Sequence, residues 1–216
     1  MKLLLATGNP HKVREISEIL GRTGVELLSL KDLPGLPHAE EDGSTLEENA
    51  RKKAVQAAEA SGLWAMADDT GLEVEALGGA PGIHAARYAG EGCTFADNVR
   101  KLLRELQGVP RERRGAAFRC VVALCGPGRG CGQVLSGYGK CSSEGPGLEY
   151  FSEGRLEGVI LEKEAGSGGF GYDPVFFIPS AGKTLAEMSA EEKNLISHRA
   201  LALRAMAPRL KELARS

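Results

Sequence analysis

The chain has 216 residues, 42% of them hydrophobic and 26% charged, with a formal net charge of −2 at pH 7. That composition suits one sizeable globular domain or two small lobes, and the lack of basic excess argues against a nucleic-acid partner. Five cysteines, an odd number with no C-x-x-C spacing, argue against a disulfide framework or zinc site and read as reduced thiols in a cytoplasmic protein. The apolar run Met1–Ala6 is too short for a signal peptide, and no stretch reaches transmembrane length, so no membrane association is expected.

Lys2–Ala6 reads as a first buried strand and Thr7-Gly8-Asn9-Pro10 as a turn. A helix over His11–Leu20 follows, with Val13, Ile16, Ile19 and Leu20 at helical spacing. A strand–turn–helix unit aims backbone N–H groups and the positive end of the helix dipole at whatever lies over the turn. Lys12 sits in that first helical turn, where its charge opposes the dipole unless an anion such as phosphate is bound. The Walker A spacing is absent. Val25–Ser29 reads as a second strand, Pro34, Gly35 and Pro37 interrupt the chain, and Glu40-Glu41-Asp42-Gly43 forms an acidic loop. Ser44-Thr45-Leu46-Glu47 fits a capping box. It opens a helix to about Ser61, with Glu47/Arg51 and Glu48/Lys52 four residues apart and Asn49, Lys53 and Gln56 on one polar stripe.

Leu63–Ala67 reads as a strand that ends at Asp68-Asp69 and turns at Thr70-Gly71, with Leu72–Ala76 continuing beyond. Ligands of α/β proteins sit at strand ends. Two acids there can hold a hard cation such as Mg²⁺ or take a proton from water; the plain alternative is a solvated turn. Gly78–Arg87 is a rigid Gly/Pro-punctuated segment, Thr94 opens a capped helix to about Leu106, and Ala116–Leu124 reads as a strand. A Gly-rich extended hairpin is expected over about 126–150, its strands near Gln133–Cys141 and Tyr150–Ile160. Four of the six residues from 166 to 171 are glycine, which allows a ligand close to the backbone. Phe170 and Tyr172 alternate with those glycines, so one ring can stack on a flat base. Val175–Ile178 is a buried strand, and Ser189–Glu192 is a third capping box. One straight helix from there would set Lys193 and His198 about 140° apart, at ~100° per residue. They converge only if Ser197 caps a new helix beginning at His198.

Four segments then occur in order over nearly the whole chain: Thr7-Gly8-Asn9…Lys12, Ala67-Asp68-Asp69-Thr70-Gly71-Leu72, Gly168-Gly169-Phe170-Gly171-Tyr172-Asp173-Pro174 and Ser197-His198-Arg199. Together they closely resemble the Ham1/inosine triphosphate pyrophosphatase family. The resemblance implies an α/β fold with an elongated mixed β-sheet, flanking helices and two lobes around a central nucleotide-binding cleft, all in one domain over 1–216. It implies Mg²⁺ dependence, a homodimer, and hydrolysis of ITP, dITP and XTP to the monophosphate and pyrophosphate, clearing aberrant nucleotides from the precursor pool. By the same resemblance Asp69 is the general base and a metal ligand, Asp68 supports it or joins the metal shell, and one of Glu40 and Glu41 supplies another metal carboxylate.

Thr7, Gly8, Asn9, Pro10, His11 and Lys12 would bind phosphate, with Lys12 as a direct cation and Lys53 reaching the same groups. Thr70 stands where the family often has Ser and keeps the hydroxyl toward the substrate. Phe170, Gly171, Tyr172 and Asp173 match the nucleoside-binding loop, with Phe170 stacking, and Lys193, His198 and Arg199 match the residues around the base. Inosine and xanthine present O6 and lack adenine's amino donor, so cationic donors aimed at O6 would reject adenine. The segment from about Gly126 to Gly147 is longer than the family's usual connection, where an outer lobe or dimer contact is expected. Two readings compete: a Maf-type enzyme preferring pyrimidine or modified bases, and a nucleotide-binding regulatory module. Four closely spaced acids argue against the module.

Overall fold

Three consecutive leucines open the core. Leu3, Leu4 and Leu5 are at most 1% exposed in strand β1 (Lys2–Leu5), which lies between two parallel neighbours, β2 (Glu26–Ser29) and β3 (Trp64–Val74). A strand buried on both faces reads as a continuous apolar run, with no alternation. The structure, a computed structural model, describes residues 1–21, 23–37, 39–128 and 148–215. Parallel neighbours need crossover connections, usually helical. Helix α1 (Pro10–Leu20) joins β1 to β2, and α2 (Leu46–Ser61) joins β2 to β3.

The remaining strands are β4 (Pro81–Gly82), β5 (Gly115–Cys125), β6 (Glu149–Ile160), β7 (Phe176–Ile178) and β8 (Lys183–Thr184). Among the described residues one mixed sheet of eight strands runs β2-β1-β3-β5-β6-β7-β8, with β4 on β3, and β6, β7 and β8 pair antiparallel. The later helices are α3 (Phe95–Glu105), α4 (Ala190–Ile196) and α5 (His198–Arg215). The α/β expectation is met. Among the described residues no helix is long and apolar enough to cross a membrane.

The chain divides into two compact units, counting their described residues: Met1–Asp69, Val121–Glu153 and Ala202–Ser216 in one, Thr70–Cys120 and Gly154–Leu201 in the other. The first buries the β1 leucines, Ile16 and Leu20 of α1, Ala50, Ala54 and Ala58 of α2, and Met206 and Leu210 of α5. The second is built on Leu72, Val74, Val99, Leu102, Phe118, Tyr172, Phe176 and Leu185.

Two local expectations change, and a third lies outside the described residues. The turn at Asp68-Asp69-Thr70-Gly71 does not form: β3 runs unbroken for 11 residues. The turn-forming preference of Asp and Gly yields because Lys12 and Lys53 meet the two carboxylates and make their burial in a strand tolerable. The α2 cap shifts by one residue. Thr45 is the N-cap and accepts from the Glu48 amide, while the Glu48 carboxylate accepts from the amide and hydroxyl of Ser44. Of the expected Gly-rich hairpin, residues 129–147 lie outside the described residues, and with them Cys131, Cys141 and the strand expected near Gln133–Cys141. The break before His198 does form: Ser197 ends α4, and its hydroxyl accepts from the Ala200 amide at the start of α5 (3.2 Å).

Candidate active site

The first unit gathers acids and lysines from four places in the chain. β1 stops at Leu5, whereas its parallel neighbour β3 pairs with it up to Met66 and runs on through Asp68 and Asp69. The chain leaving β1 turns over Thr7-Gly8-Asn9 into α1. Thr7 Oγ1 accepts from the Asn9 amide (3.2 Å), and Asn9 Oδ1 accepts from the amides of His11 (2.9 Å) and Lys12 (3.4 Å). Asn9 is thus the N-cap and Pro10 stands in the first helical turn, where its missing N–H is no loss. Two amides expected to face a phosphate already donate to Asn9, so the charge this turn presents is the Lys12 ammonium. It lies 3.0 Å from Asp68 Oδ2.

Lys53, on α2, uses all three ammonium protons. It donates to Glu41 Oε1 (2.8 Å), the Asp68 carbonyl (2.8 Å) and Asp69 Oδ1 (2.9 Å). The other Asp69 oxygen accepts from Asn49 Nδ2 at 3.2 Å. Both adjacent glutamates are exposed, and Glu41 joins the cluster through its bond from Lys53. Asn49 is the residue that the sequence places only on a polar stripe. Its four-residue spacing from Lys53 was the available signal, since i and i+4 share a helix face.

Burial pushes the Asp69 carboxyl above the ordinary aspartate range, against the pull of Lys53 and Lys12. Burial also works against the Lys53 ammonium, but Asp69, Asp68 and Glu41 together outweigh it and hold the group above the ordinary lysine value. A carboxylate raised in this way is a stronger proton acceptor than one in water. The donor set also fits a hard divalent cation: Glu41 and Asp69 already converge on one positive centre, and Mg²⁺ takes oxygen ligands. Among the described residues no three His, Cys, Asp or Glu side chains enclose a metal position by themselves. The carboxylates would supply part of a shell, as is usual for Mg²⁺, which keeps waters and shares substrate phosphates.

The second unit gathers aromatic and cationic groups. The loop after Glu164 carries Gly169 at φ +69° and Gly171 at φ +66°. A Cβ on Gly169 would sit 2.1 Å from Asp173 Oδ2. That oxygen accepts from the Phe170 amide (2.9 Å) and from Lys193 Nζ (2.6 Å), so Asp173 shapes the loop and anchors the lysine. Phe170 is half-buried, with Lys193 Nζ 4.8 Å and the Arg199 guanidinium carbon 5.7 Å from its ring centroid. Tyr172 has a different place: its ring lies in the core and its hydroxyl donates to the Ala85 carbonyl (2.8 Å). Of the two rings, Phe170 is therefore the one left partly exposed, beside two cations. Arg199 Nη2 donates to Thr70 Oγ1 (3.2 Å), and the His198 ring stacks on Phe118 with centroids 4.5 Å apart.

A family model described as the Ham1 family matches residues 3–209. The chain is 50% identical over 202 residues to the dITP/XTP pyrophosphatase of Geobacter sulfurreducens, covering 94% of this chain and 92% of that protein. It is 45% identical over 211 residues to the dITP/XTP pyrophosphatase of Yersinia pseudotuberculosis, covering 98% of each. Among solved structures, a HAM1 protein from Coxiella burnetii superposes with a TM-score of 0.80 at 37% identity, over 98% of this chain and 99% of that one. The nucleoside-triphosphatase / dITP/XTP pyrophosphatase of Mycobacterium abscessus gives 0.71 at 41% identity, over 96% of this chain and all of that one. The matched span takes in both residue sets and nearly every element of the sheet, and the chain belongs to the Ham1 family.

Proposed function

We propose that the protein hydrolyses the non-standard purine nucleoside triphosphates ITP, dITP and XTP to the nucleoside monophosphate and pyrophosphate. The observation that carries the reading is the first-unit cluster: a buried, raised carboxyl on Asp69 with two lysines around it. Hydrolysis of a phosphoanhydride needs a proton acceptor for water and cations for the charge on the phosphates. Asp69 is the acceptor, and Lys12 and Lys53 are the cations. The relatives named dITP/XTP pyrophosphatase support the substrate class.

Asp69 and Glu41, with Asp68 beside them, would hold Mg²⁺, which when bound screens phosphate charge and polarises the oxygens around it. Lys53 favours the ionised form of Asp69 against the effect of burial and orients it through its bond to Oδ1. In the second unit Phe170 stacks on the base, while Lys193 and Arg199 offer donors to O6. Adenine presents an amino donor there and offers those donors no acceptor. Thr70 steadies Arg199 through its hydroxyl. On the family resemblance, the same reading includes a homodimer and a cytoplasmic location.

Pyrophosphate release from ITP, dITP, XTP, GTP, ATP and dUTP, each with and without Mg²⁺, tests the reading. The expected product is pyrophosphate and not orthophosphate, with kcat/KM for ITP and XTP at least about tenfold above GTP and dUTP. Preference for dUTP would move the protein to the pyrimidine-directed reading, and no release from any purine would reject the proposal. Asp69→Asn is expected to lose about 10²–10⁴-fold in kcat with the fold intact.

A further inference from the structure

Two side chains of α2, four residues apart, address the two oxygens of Asp69. Lys53 takes Oδ1, and its role follows from charge. Asn49 takes Oδ2 and is neutral, 1% exposed, and of lower helix propensity than the alanines around it. A buried carboxamide must be paired at both ends. Asn49 Oδ1 accepts from the Gly43 amide at 2.8 Å. That bond also settles which way the amide faces: Gly43 N–H can only donate, so Oδ1 lies toward it and Nδ2 toward Asp69.

Gly43 completes the arrangement. Its backbone is not in the left-handed region, so conformation does not demand glycine there. A Cβ would, however, stand 2.6 Å from Asn49 Oδ1 and 3.0 Å from Glu48 Cβ. The loop that carries Glu41 thus closes onto Asn49 through a position with no room for a side chain.

We infer that Asn49 is a positioning residue: it sets the plane of the Asp69 carboxylate and, through Gly43, fixes the Glu41 loop to that same carboxylate. This rests on Asp69 being the proton acceptor. A carboxylate held at one oxygen can still swing about its broad terminal torsion. Donors from one rigid helix at both oxygens remove that freedom. Glu41 and Asp69 are then spaced by a bridge of one amide as well as by their common contact with Lys53.

The test uses four variants of the full chain: Asn49→Ala, Asn49→Asp, Gly43→Ala and Gly43→Ala/Asn49→Ala. Asn49→Asp keeps an acceptor for the Gly43 amide and loses the donor to Asp69. Both Asn49 variants are expected to lower kcat for ITP about 10–100-fold, as small misplacements do, with KM within about threefold. Gly43→Ala should lower kcat because its methyl displaces the amide. The double variant should fall little further than Asn49→Ala, because the closest atom the methyl strikes, Asn49 Oδ1, is gone and only the 3.0 Å contact with Glu48 Cβ remains.

A KM rise with kcat unchanged, or losses in the double variant that multiply, would overturn the inference. So would a kcat loss fully explained by the unfolded fraction. Crystal structures of the unmutated protein and Asn49→Ala give a reading independent of turnover: a rotated Asp69 carboxylate and a shifted Glu41 loop are expected, and unchanged positions would refute the role. If the unmutated protein released no pyrophosphate, the functional proposal would fail, and those structures would still decide what Asn49 holds.

Discussion

Replacing Lys193 by methionine tests the second residue set. Its ammonium lies 2.6 Å from Asp173 Oδ2, and the two side chains are 8% and 4% exposed. Removing one partner of such a pair strands a buried charge, at about 3–5 kcal/mol. Asp173 keeps the Phe170 amide as a donor, which places the expected loss near the lower end, about 3 kcal/mol. For a chain of this length each kcal/mol moves Tm by roughly 2–4 °C, so a drop of about 6–12 °C is expected. Urea unfolding followed by circular dichroism measures the same quantity. Lys193→Met/Asp173→Asn removes both charges of the pair and should recover at least half of the loss. In both variants KM for ITP should rise about tenfold or more, the size of one lost charged hydrogen bond. A loss below ~1 kcal/mol, typical of an exposed pair, would refute the argument from burial. So would a double variant no more stable than the single one. Full destabilisation with unchanged KM would leave Lys193 as a structural group only.

Two further outcomes follow from burial. Tyr172→Phe removes the donor to the Ala85 carbonyl and should cost about 1–3 kcal/mol, read by urea unfolding, with KM for ITP unchanged; a KM increase at unchanged stability would place Tyr172 on the ligand. Cys120 and Cys125 are buried, and burial pushes the Cys125 thiol up to about 12. Only about 10⁻⁴ of it is thiolate at pH 8, so peptide mapping after native labelling with a thiol reagent should find both unmodified, and both modified in urea. Native labelling of either residue would contradict the packing.

Much of the fold was legible because it rests on contacts within a few residues. Thr94 with Asp97 and Ser189 with Glu192 form reciprocal caps, and each helix starts where that chemistry places it. The leucine run of β1 marked a strand buried on both faces. The stop at Ser197 also follows from local facts: a serine hydroxyl positioned for a cap, and two side chains, Lys193 and His198, that a straight helix would separate.

The candidate site was legible as residue types in order, which the sequence determines by itself: acids at 68 and 69, lysines at 12 and 53, a Gly-rich aromatic loop, and Lys193 and Arg199 near the end. Local propensity pointed to a turn at Asp68-Asp69, but the lysines that hold the pair in mid-strand come from two other elements. No window around the pair contains them. Glu40 and Glu41 are equivalent as letters in an acidic loop; the Gly43–Asn49 bond and the reach of Lys53 separate them. Phe170 and Tyr172 alternate with glycines alike, and the Ala85 carbonyl, from a distant segment, takes Tyr172 into the core and leaves Phe170 beside the cations. Sequence sets which chemistry the chain carries because side-chain identity does. Tertiary structure decides which copy of a repeated chemistry is used, because that depends on partners brought from elsewhere in the chain.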